Sequence, residues 1–450
     1  MNGCSYVTLD SLHIVSTGND GKYGVMITGV SDRAASNNTI QSCTIENTAT
    51  TTGFNSGMYG IYVKGYSSSS KDLNNTIKSN TLSTFGQAGI RIENASGTLV
   101  ESNKIGNWIQ TGGGTDIKGI WTSSNAVNTT VRGNIIYGIT SLVNGTSVTG
   151  IEDSVGTANS NFLCYNNMIY GLGSNGSGGS GNRVRGIFLS GSNQTGDAFY
   201  NNSIYLSGSD NSIATVSYAT AFEAVTSSTS AFSLKNNIFH NSILHGSSNA
   251  RSYGIRMAST TVPIANISSN NNLFNIPTND EQPQGFIGRF TSSDKLTLND
   301  WRTAIGGDAN SKTGDPRYLS SSDLHIATTL PKSPAAASGV AIAEVTTDID
   351  GDSRLNPPDI GADEFSVVSK ISGKVQEDAD GLMSTSNDRT ALVGWKVYLN
   401  LNGNIVTATT DNSGNYAFGS LSDGSYTVTD SLLATYAPLD ISLGSGANSA

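Results

Sequence analysis

Through residues 1 to about 290, apolar side chains fall on alternate positions in short bursts separated by Gly, Ser and Asn, the pattern of short strands that show one face to a core. One burst recurs as Asn-x-apolar, often followed by Tyr: Asn80-Thr81-Leu82, Asn103-Lys104-Ile105, Asn134-Ile135-Ile136-Tyr137, Asn167-Met168-Ile169-Tyr170, Asn202-Ser203-Ile204-Tyr205, Asn237-Ile238-Phe239 and Asn272-Leu273-Phe274. Carried back, the phrase puts Leu12 and Cys43 in the Asn position, with Ile14 and Ile45 as anchors, and successive anchors lie 23 to 37 residues apart. A second burst, small-apolar-any-apolar, keeps step with the first and begins at Gly24, Gly60, Gly89, Gly119, Gly150, Gly186, Ala221 and Gly254. A coil this short cannot bury its apolar face alone. Stacked coils can, each strand pairing with its counterpart about 4.8 Å away. The expectation is an all-β chain: a right-handed parallel β-helix over 1–290. In it the recurrent Asn takes left-handed backbone in a turn and hydrogen-bonds the Asn above and below. A propeller repeat would need four strands in about 40 to 45 residues, and a leucine-rich repeat several Leu per unit; neither pattern is present.

These phrases resemble the secreted bacterial right-handed parallel β-helix repeat proteins, the pectin-lyase-like superfamily that also includes pectin and alginate lyases and many bacterial surface proteins. The resemblance implies an extracellular or cell-surface location and a polysaccharide or matrix glycan as partner. After the repeats, Leu298 to Ala304 reads as a short helix capped by Asn299 or Asp300 and stopped by Gly306-Gly307. The whole stretch 291–366 reads as a segment that closes the open end of the sheets. From 370 to 450 strands return without the coil phrases, as in a small antiparallel β-sandwich. Asp411-Asn412-Ser413-Gly414-Asn415-Tyr416-Ala417-Phe418 followed by Gly424-Ser425-Tyr426-Thr427-Val428 resembles the B-type (SD-repeat-like) domains of surface adhesins. That resemblance implies a stalk or spacer, neighbouring domains in a longer chain, calcium at Asp378, Asp380 and Asp388, and Lys374 as a residue able to supply an isopeptide cross-link. The start inside a coil and the stop before a closing strand are what a piece of a longer protein would show.

Composition narrows the partners. With 25 Lys+Arg against 35 Asp+Glu, a net charge of −10 and 13% charged residues in 450, the chain falls well below the usual charged share of about 25%. An acidic chain without a basic cluster cannot neutralise a phosphate backbone, which disfavours a nucleic-acid binder. No apolar stretch reaches the roughly 18 residues of a membrane span, and Met1 to Val7 lacks the basic-then-apolar order of a secretory signal. Cys4, Cys43 and Cys164 are too few for a disulfide framework and read as small buried hydrophobes.

The third residue of the second phrase forms an outward column: Met26, Tyr62, Arg91, Trp121, Glu152, Phe188, Glu223 and Arg256. Aromatic faces interleaved with charges suit an extended glycan, which offers flat apolar ring faces and hydroxyls; stacking of exposed strand residues on one another explains the same pattern without a ligand. The ligand-contact set is therefore Tyr62, Arg91, Trp121, Glu152, Phe188, Glu223 and Arg256. If the face were catalytic, in a polysaccharide lyase or glycoside hydrolase, Glu152 and Glu223 would act. They are two coils apart, about 9 to 10 Å, at the edge of an inverting pair's separation and with Phe188 between them. Binding is expected ahead of catalysis. Asp153 falls on an inward position, where a charge is costly, and a strand ending early would turn it outward.

A second column, Tyr137, Tyr170, Tyr205 and His240, reads as ring stacking along a sheet. His13, His245 and His325 lack zinc spacing. Asp348, Asp350, Asp352 and Asp359 imitate a calcium loop, but Ser353 stands where its Gly belongs, and a turn salt-bridged by Arg354 to Asp350 or Asp363 is the competing reading. Gly171 to Gly176 spells a dinucleotide fingerprint without its helix and reads as a loop.

Overall fold

A computed structural model describes residues 1–431 apart from 18–22, 49–56, 176–180, 211–216, 226–228, 246–248, 258–262, 278–284, 330, 367–368, 382–386, 402 and 422–424. Gly176, Gly424 and the chain's last residues thus lie outside the described residues. The chain divides into one unit of residues 1–327 and 333–365 and a second of 328–332 and 366–450.

The first unit is a parallel β-solenoid with three sheets. Sheet one stacks Tyr23–Thr28, Tyr59–Lys64, Ala88–Glu93, Ile117–Ser123, Ser147–Ser154, Arg183–Leu189, Tyr218–Ala224, Arg251–Met257 and Gly285–Phe290. Sheet two runs from His13–Ser16 to Leu273–Asn275 and Lys312–Thr313, and sheet three from Thr8–Asp10 to Ile267–Asn270. Both phrases sit in register: Ile136 pairs with Ile105 and Ile169, and Ile120 with Ile90 and Ile151.

Why the two phrases travel together is visible in the glycines. A Cβ on Gly89, Gly119 or Gly150 would lie 2.5 to 2.7 Å from Cγ2 of Ile105, Ile136 or Ile169, the anchor of the first phrase. It would also come within 2.6 to 2.8 Å of the next coil's carbonyl. The glycine therefore points inward, as does the isoleucine after it, which is fully buried in Ile90, Ile120 and Ile151. Two successive inward positions break the alternation, so the residue before the glycine faces out.

The Asn file turns the corner from sheet three to sheet two. Asn80, Asn103, Asn134, Asn167, Asn202, Asn237 and Asn272 are buried, and each Oδ1 from Asn103 to Asn272 accepts both the backbone N–H and the side-chain amide of the Asn one coil before it, at 2.9 to 3.1 Å. The left-handed backbone is not theirs. It belongs to the preceding residue: Ser42, Ser79, Ser102, Gly133, Asn166, Asn201, Asn236 and Asn271 all have φ between 48° and 62°. The ladder side chain satisfies buried polar groups, while its neighbour makes the bend.

The ladder ends on Ser311 and Asp308, which bond Asn272 at 2.8 and 3.0 Å. Asp308 also accepts from Trp301 Nε1 at 2.8 Å. Trp301 and Ile305, from the helix Leu298–Ile305, close the core at this end. The helix is capped by Thr297, two or three residues before the expected caps, through a reciprocal box with Asp300, and stops at left-handed Gly306.

Of the stretch 291–366, the part after Gly314 does not lie over the end. It returns along the outside of sheet two as a strap. Asn271 donates to Ser338 at 3.1 Å, Asn236 to Val340 at 2.8 Å, Asn201 to Asp359 and Gly361 at 3.3 and 3.2 Å, and Asn166 to Thr347 at 2.7 Å. The bend residues under the strap are the first Asn of each Asn-Asn doublet; the uncovered coils carry Ser42, Ser79, Ser102 and Gly133. Beneath the strap the first outward position of sheet two is also covered, with Met168, Ser203, Ile238 and Leu273 buried, whereas Thr44, Thr81 and Lys104 are exposed. The expected Tyr–His column is part of this seam: His240 stacks on Tyr205 at 4.1 Å and faces Tyr318 of the strap at 6.0 Å, and its burial lowers the imidazole pKa to about 4. Asn236→Gly keeps the bend and removes the strap bonds; it is expected to cost about 1–2 kcal/mol and to speed proteolysis within 333–360, read by limited digestion.

In the second unit, Ser369–Lys374 pairs antiparallel with Asn415–Leu421, Gln376–Asp378 with Arg389–Ala391, and Lys396–Leu401 with both Asn404–Thr409 and Thr427–Asp430. Val397, Leu399 and Phe418 form its core. Small antiparallel sheets are thus present, in keeping with a sandwich. Lys374 is exposed, opposite Asn415.

Candidate functional site

The predicted column is real in register: Met26 pairs with Tyr62, Tyr62 with Arg91, Arg91 with Trp121, and so on through Glu152, Phe188 and Glu223 to Arg256. It is not a loose stripe. Tyr62 is 4% exposed and Glu223 is fully buried, while Arg91, Trp121, Glu152, Phe188 and Arg256 keep part of their surface in water. The cover comes from a second outward column that alternation missed, the residues before each glycine, among them Tyr23, Tyr59, Lys118, Arg185 and Tyr253. Their signal in the sequence is their place next to a glycine whose neighbour is also inward.

Two networks result. In the first, the Arg91 guanidinium lies 4.0 Å from the Trp121 ring centre and 5.1 and 5.2 Å from those of Tyr62 and Tyr59. Glu93 holds Arg91 Nη2 at 2.9 Å and accepts from Tyr62 Oη at 2.5 Å. Burial, then the bond to Glu93, pushes the Tyr62 phenol pKa well up. Lys118 Nζ sits 4.5 Å over Trp121 and 3.5 Å from Glu152, and Trp121 Nε1 donates to Ser154 at 2.8 Å. In the second, Glu223 bridges Arg185 at 2.5 Å and Arg256, and accepts from Tyr218 Oη at 2.8 Å. Arg185 stacks at 4.1 Å on Phe188, and Arg256 at 4.2 Å on Tyr218. Burial disfavours the charge on Arg185, but Glu223 and Tyr218 outweigh it and raise the pKa.

Chemically, these networks hold rings and guanidinium planes fixed, with little side-chain entropy left to lose on binding. They do not offer a free acid and base. Glu223 spends both oxygens on two arginines and a phenol, and Glu152 on Lys118 and on Ser190 at 3.1 Å. General acid–base work needs a proton donor or acceptor open to substrate.

Asp153 stays inward. Its strand runs on to Ser154, and the carboxyl is fully buried, accepting from Thr122 at 2.6 Å and Gln194 at 2.5 Å. Asp197, buried nearby, accepts from Ser160 Oγ at 2.6 Å and the Phe162 N–H at 2.9 Å. Burial, and for Asp153 also the charge of Asp197, raises both pKa values, Asp197 to about 6. Cys43 and Cys164 are buried as expected, but Cys4 is exposed.

The acidic residues proposed for calcium divide. Asp348 accepts from the N–H groups of Asp350, Asp352 and Glu364 at 2.8 to 2.9 Å, and Asp359 from those of Ala337 and Phe365 at 2.5 and 2.8 Å, so both brace turns of the strap. Asp350 pairs with His325 at 2.9 Å, and Arg354 with Glu364 at 3.2 Å rather than through the side chain of Asp350 or Asp363. In the second unit, Asp378, Asp380 and Asp388 do bring carboxylate oxygens within 4.8 Å of one another; Arg389 lies 3.3 Å from Asp378.

No family model and no curated protein matches this sequence. Solved structures similar in fold include the Agl-KA catalytic domain, at 12% identity over 68% of this chain and 62% of that one, TM-score 0.22. Others are the Dettilon tailspike protein, at 12% identity over 90% and 69%, TM-score 0.22, and a tailspike protein of E. coli bacteriophage HK620 in complex with a hexasaccharide, at 9% identity over 95% and 85%, TM-score 0.20. The chain thus spans 62% of the Agl-KA domain it matches. Likenesses of this depth carry no argument about its chemistry. Among the described residues no helix is long and apolar enough to cross a membrane.

Proposed function

We propose that the solenoid binds polysaccharide along the outward face of sheet one, in an exported cell-surface or extracellular protein whose second unit serves as stalk or spacer. One observation carries the reading: Arg91, Trp121, Phe188 and Arg256 stand in one file of paired strands, with Glu152 and Glu223 on the rungs between, and are held rigid by ion pairs and ring contacts yet partly exposed. An extended sugar chain lying along the file meets ring faces for its apolar side and charged edges for its hydroxyls. The saturation of Glu152 and Glu223 favours binding without turnover.

A glycan array read beside reducing-sugar and unsaturated-uronate assays tests this. Binding by the intact chain that falls at least about tenfold in Trp121→Ala, the loss typical of an aromatic anchor, is the expected result. Turnover that disappears in Glu152→Gln or Glu223→Gln would overturn it in favour of a lyase or hydrolase.

A further inference from the structure

Where the strap stops, it leaves a cleft of about 290 Å³. Its floor is on sheet three: Arg132 is fixed between Glu101 at 2.6 Å and the Tyr165 hydroxyl at 2.8 Å, and the side chains of Arg132 and Glu101 remain 39% and 28% exposed. Its wall is the strap loop carrying Glu344 and Asp350. That wall is pinned through Asn166, whose amide donates to Thr347 at 2.7 Å and whose Oδ1 accepts from Arg354 at 2.8 Å. Ser102 and Gly133 line the cleft at the bend positions where the covered coils carry strap-binding Asn. A Cβ on Gly133 would meet nothing closer than 3.5 Å, so the lane ahead of the strap is open.

We infer that this cleft is a second binding site, distinct from the file on sheet one, and that it takes a single uncharged sugar ring. The volume is at the lower end for a small-ligand pocket. Floor and wall are both held before any ligand arrives, which spares ordering entropy. Glu101, Glu344 and Asp350 offer acceptors to hydroxyl donors, and the Arg132 fork offers donors to hydroxyl acceptors. The charge of Arg132 is already matched by Glu101 and Asp350 is paired with His325, so the other strap carboxylates on the cleft, Glu344 and Asp348, disfavour an anionic ring.

The test is titration of the full chain with neutral oligosaccharides (maltohexaose, cellohexaose, laminarihexaose and chitohexaose), with polygalacturonate as the anionic comparison, followed by calorimetry and by NMR line broadening of the sugar. At least one neutral oligomer is expected to bind. Its affinity should fall about tenfold or more in Glu344→Arg, a substitution on the exposed strap rim, the size of one lost charged hydrogen bond. Ser102→Asn, which places in the lane the residue that fits the same bend in covered coils, should weaken it similarly. The same losses should be read in a Trp121→Ala background, in which the file on sheet one no longer contributes. The inference is overturned if no neutral oligomer binds, if Glu344→Arg and Ser102→Asn bind as well as the unaltered chain, or if only Trp121→Ala loses binding, which would assign the sugar to sheet one alone. Preference for polygalacturonate would also overturn it.

Discussion

Asn167→Ala is expected to remove about 4–6 kcal/mol of stability, enough to unfold much of the solenoid at physiological temperature, since whole domains hold only about 5–15 kcal/mol. Asn167 is fully buried. Its Oδ1 is the acceptor for the N–H and the amide of Asn134, both at 3.0 Å, and its own amide serves the carbonyls of Val131 and Tyr165 at 3.0 Å and Asn202 Oδ1 at 2.9 Å. Alanine strands these groups where water does not reach, at about 1–3 kcal/mol each. Backbone strain is not the cause, because the left-handed residue is Asn166. Denaturant unfolding followed by circular dichroism gives the number. A loss under about 1 kcal/mol would mean the ladder is ornamental.

Asp197→Asn is expected to do the reverse, stabilising the solenoid above neutrality. With its folded pKa raised to about 6 from the ordinary 3.8, mainly by burial, Asp197 contributes stability that is complete below about pH 4 and drains away as pH climbs through about 6. Two units are worth about 3 kcal/mol. Asp153 shifts in the same direction, so the pair favours the folded state most in acid. His240 has the opposite sign: with its folded pKa at about 4, it subtracts stability as pH falls below 6.5. His240 is common to both proteins, so the difference between the unaltered chain and the variant reads Asp197 together with its coupling to Asp153. Asparagine suits the position, because Asp197 Oδ1 accepts the Phe162 N–H just as Asn75 Oδ1 accepts the Asn38 N–H at 2.9 Å, one coil to the next in both cases. Melting temperatures of the two proteins should coincide near pH 4.5 and separate by pH 8, the variant higher. Parallel curves would show that Asp197 is ionised throughout.

Much of this architecture was legible in the residues. Periodic Asn and Gly phrases place the coils, the ladder and the outward file from Met26 to Arg256, because stacking repeats one local environment in every coil. Three features were not. The Tyr59–Lys118–Arg185 column escaped strict alternation because each following glycine and isoleucine both turn inward. Asp153 looked too costly to bury as a charge, and burial becomes tolerable once it holds a proton and bonds Thr122 and Gln194. The strap was written in the Asn166-Asn167, Asn201-Asn202, Asn236-Asn237 and Asn271-Asn272 doublets and in apolar Met168, Ile238 and Leu273, where the coils up to Lys104 have His, Thr or Lys. A local pattern says that a face is covered without saying by what, and the cover comes from far along the chain.

That distance has a consequence for biosynthesis. Asn236 meets Val340 across 104 residues, Asn201 meets Gly361 across 160, and Asn166 meets Arg354 across 188. A nascent chain emerging from the ribosome completes its rungs in order but carries Met168, Ile238 and Leu273 bare until the far segment is made. During that interval the growing solenoid is a substrate for chaperones or for its own siblings, and a message truncated before codon 314 would yield a folded, sticky product.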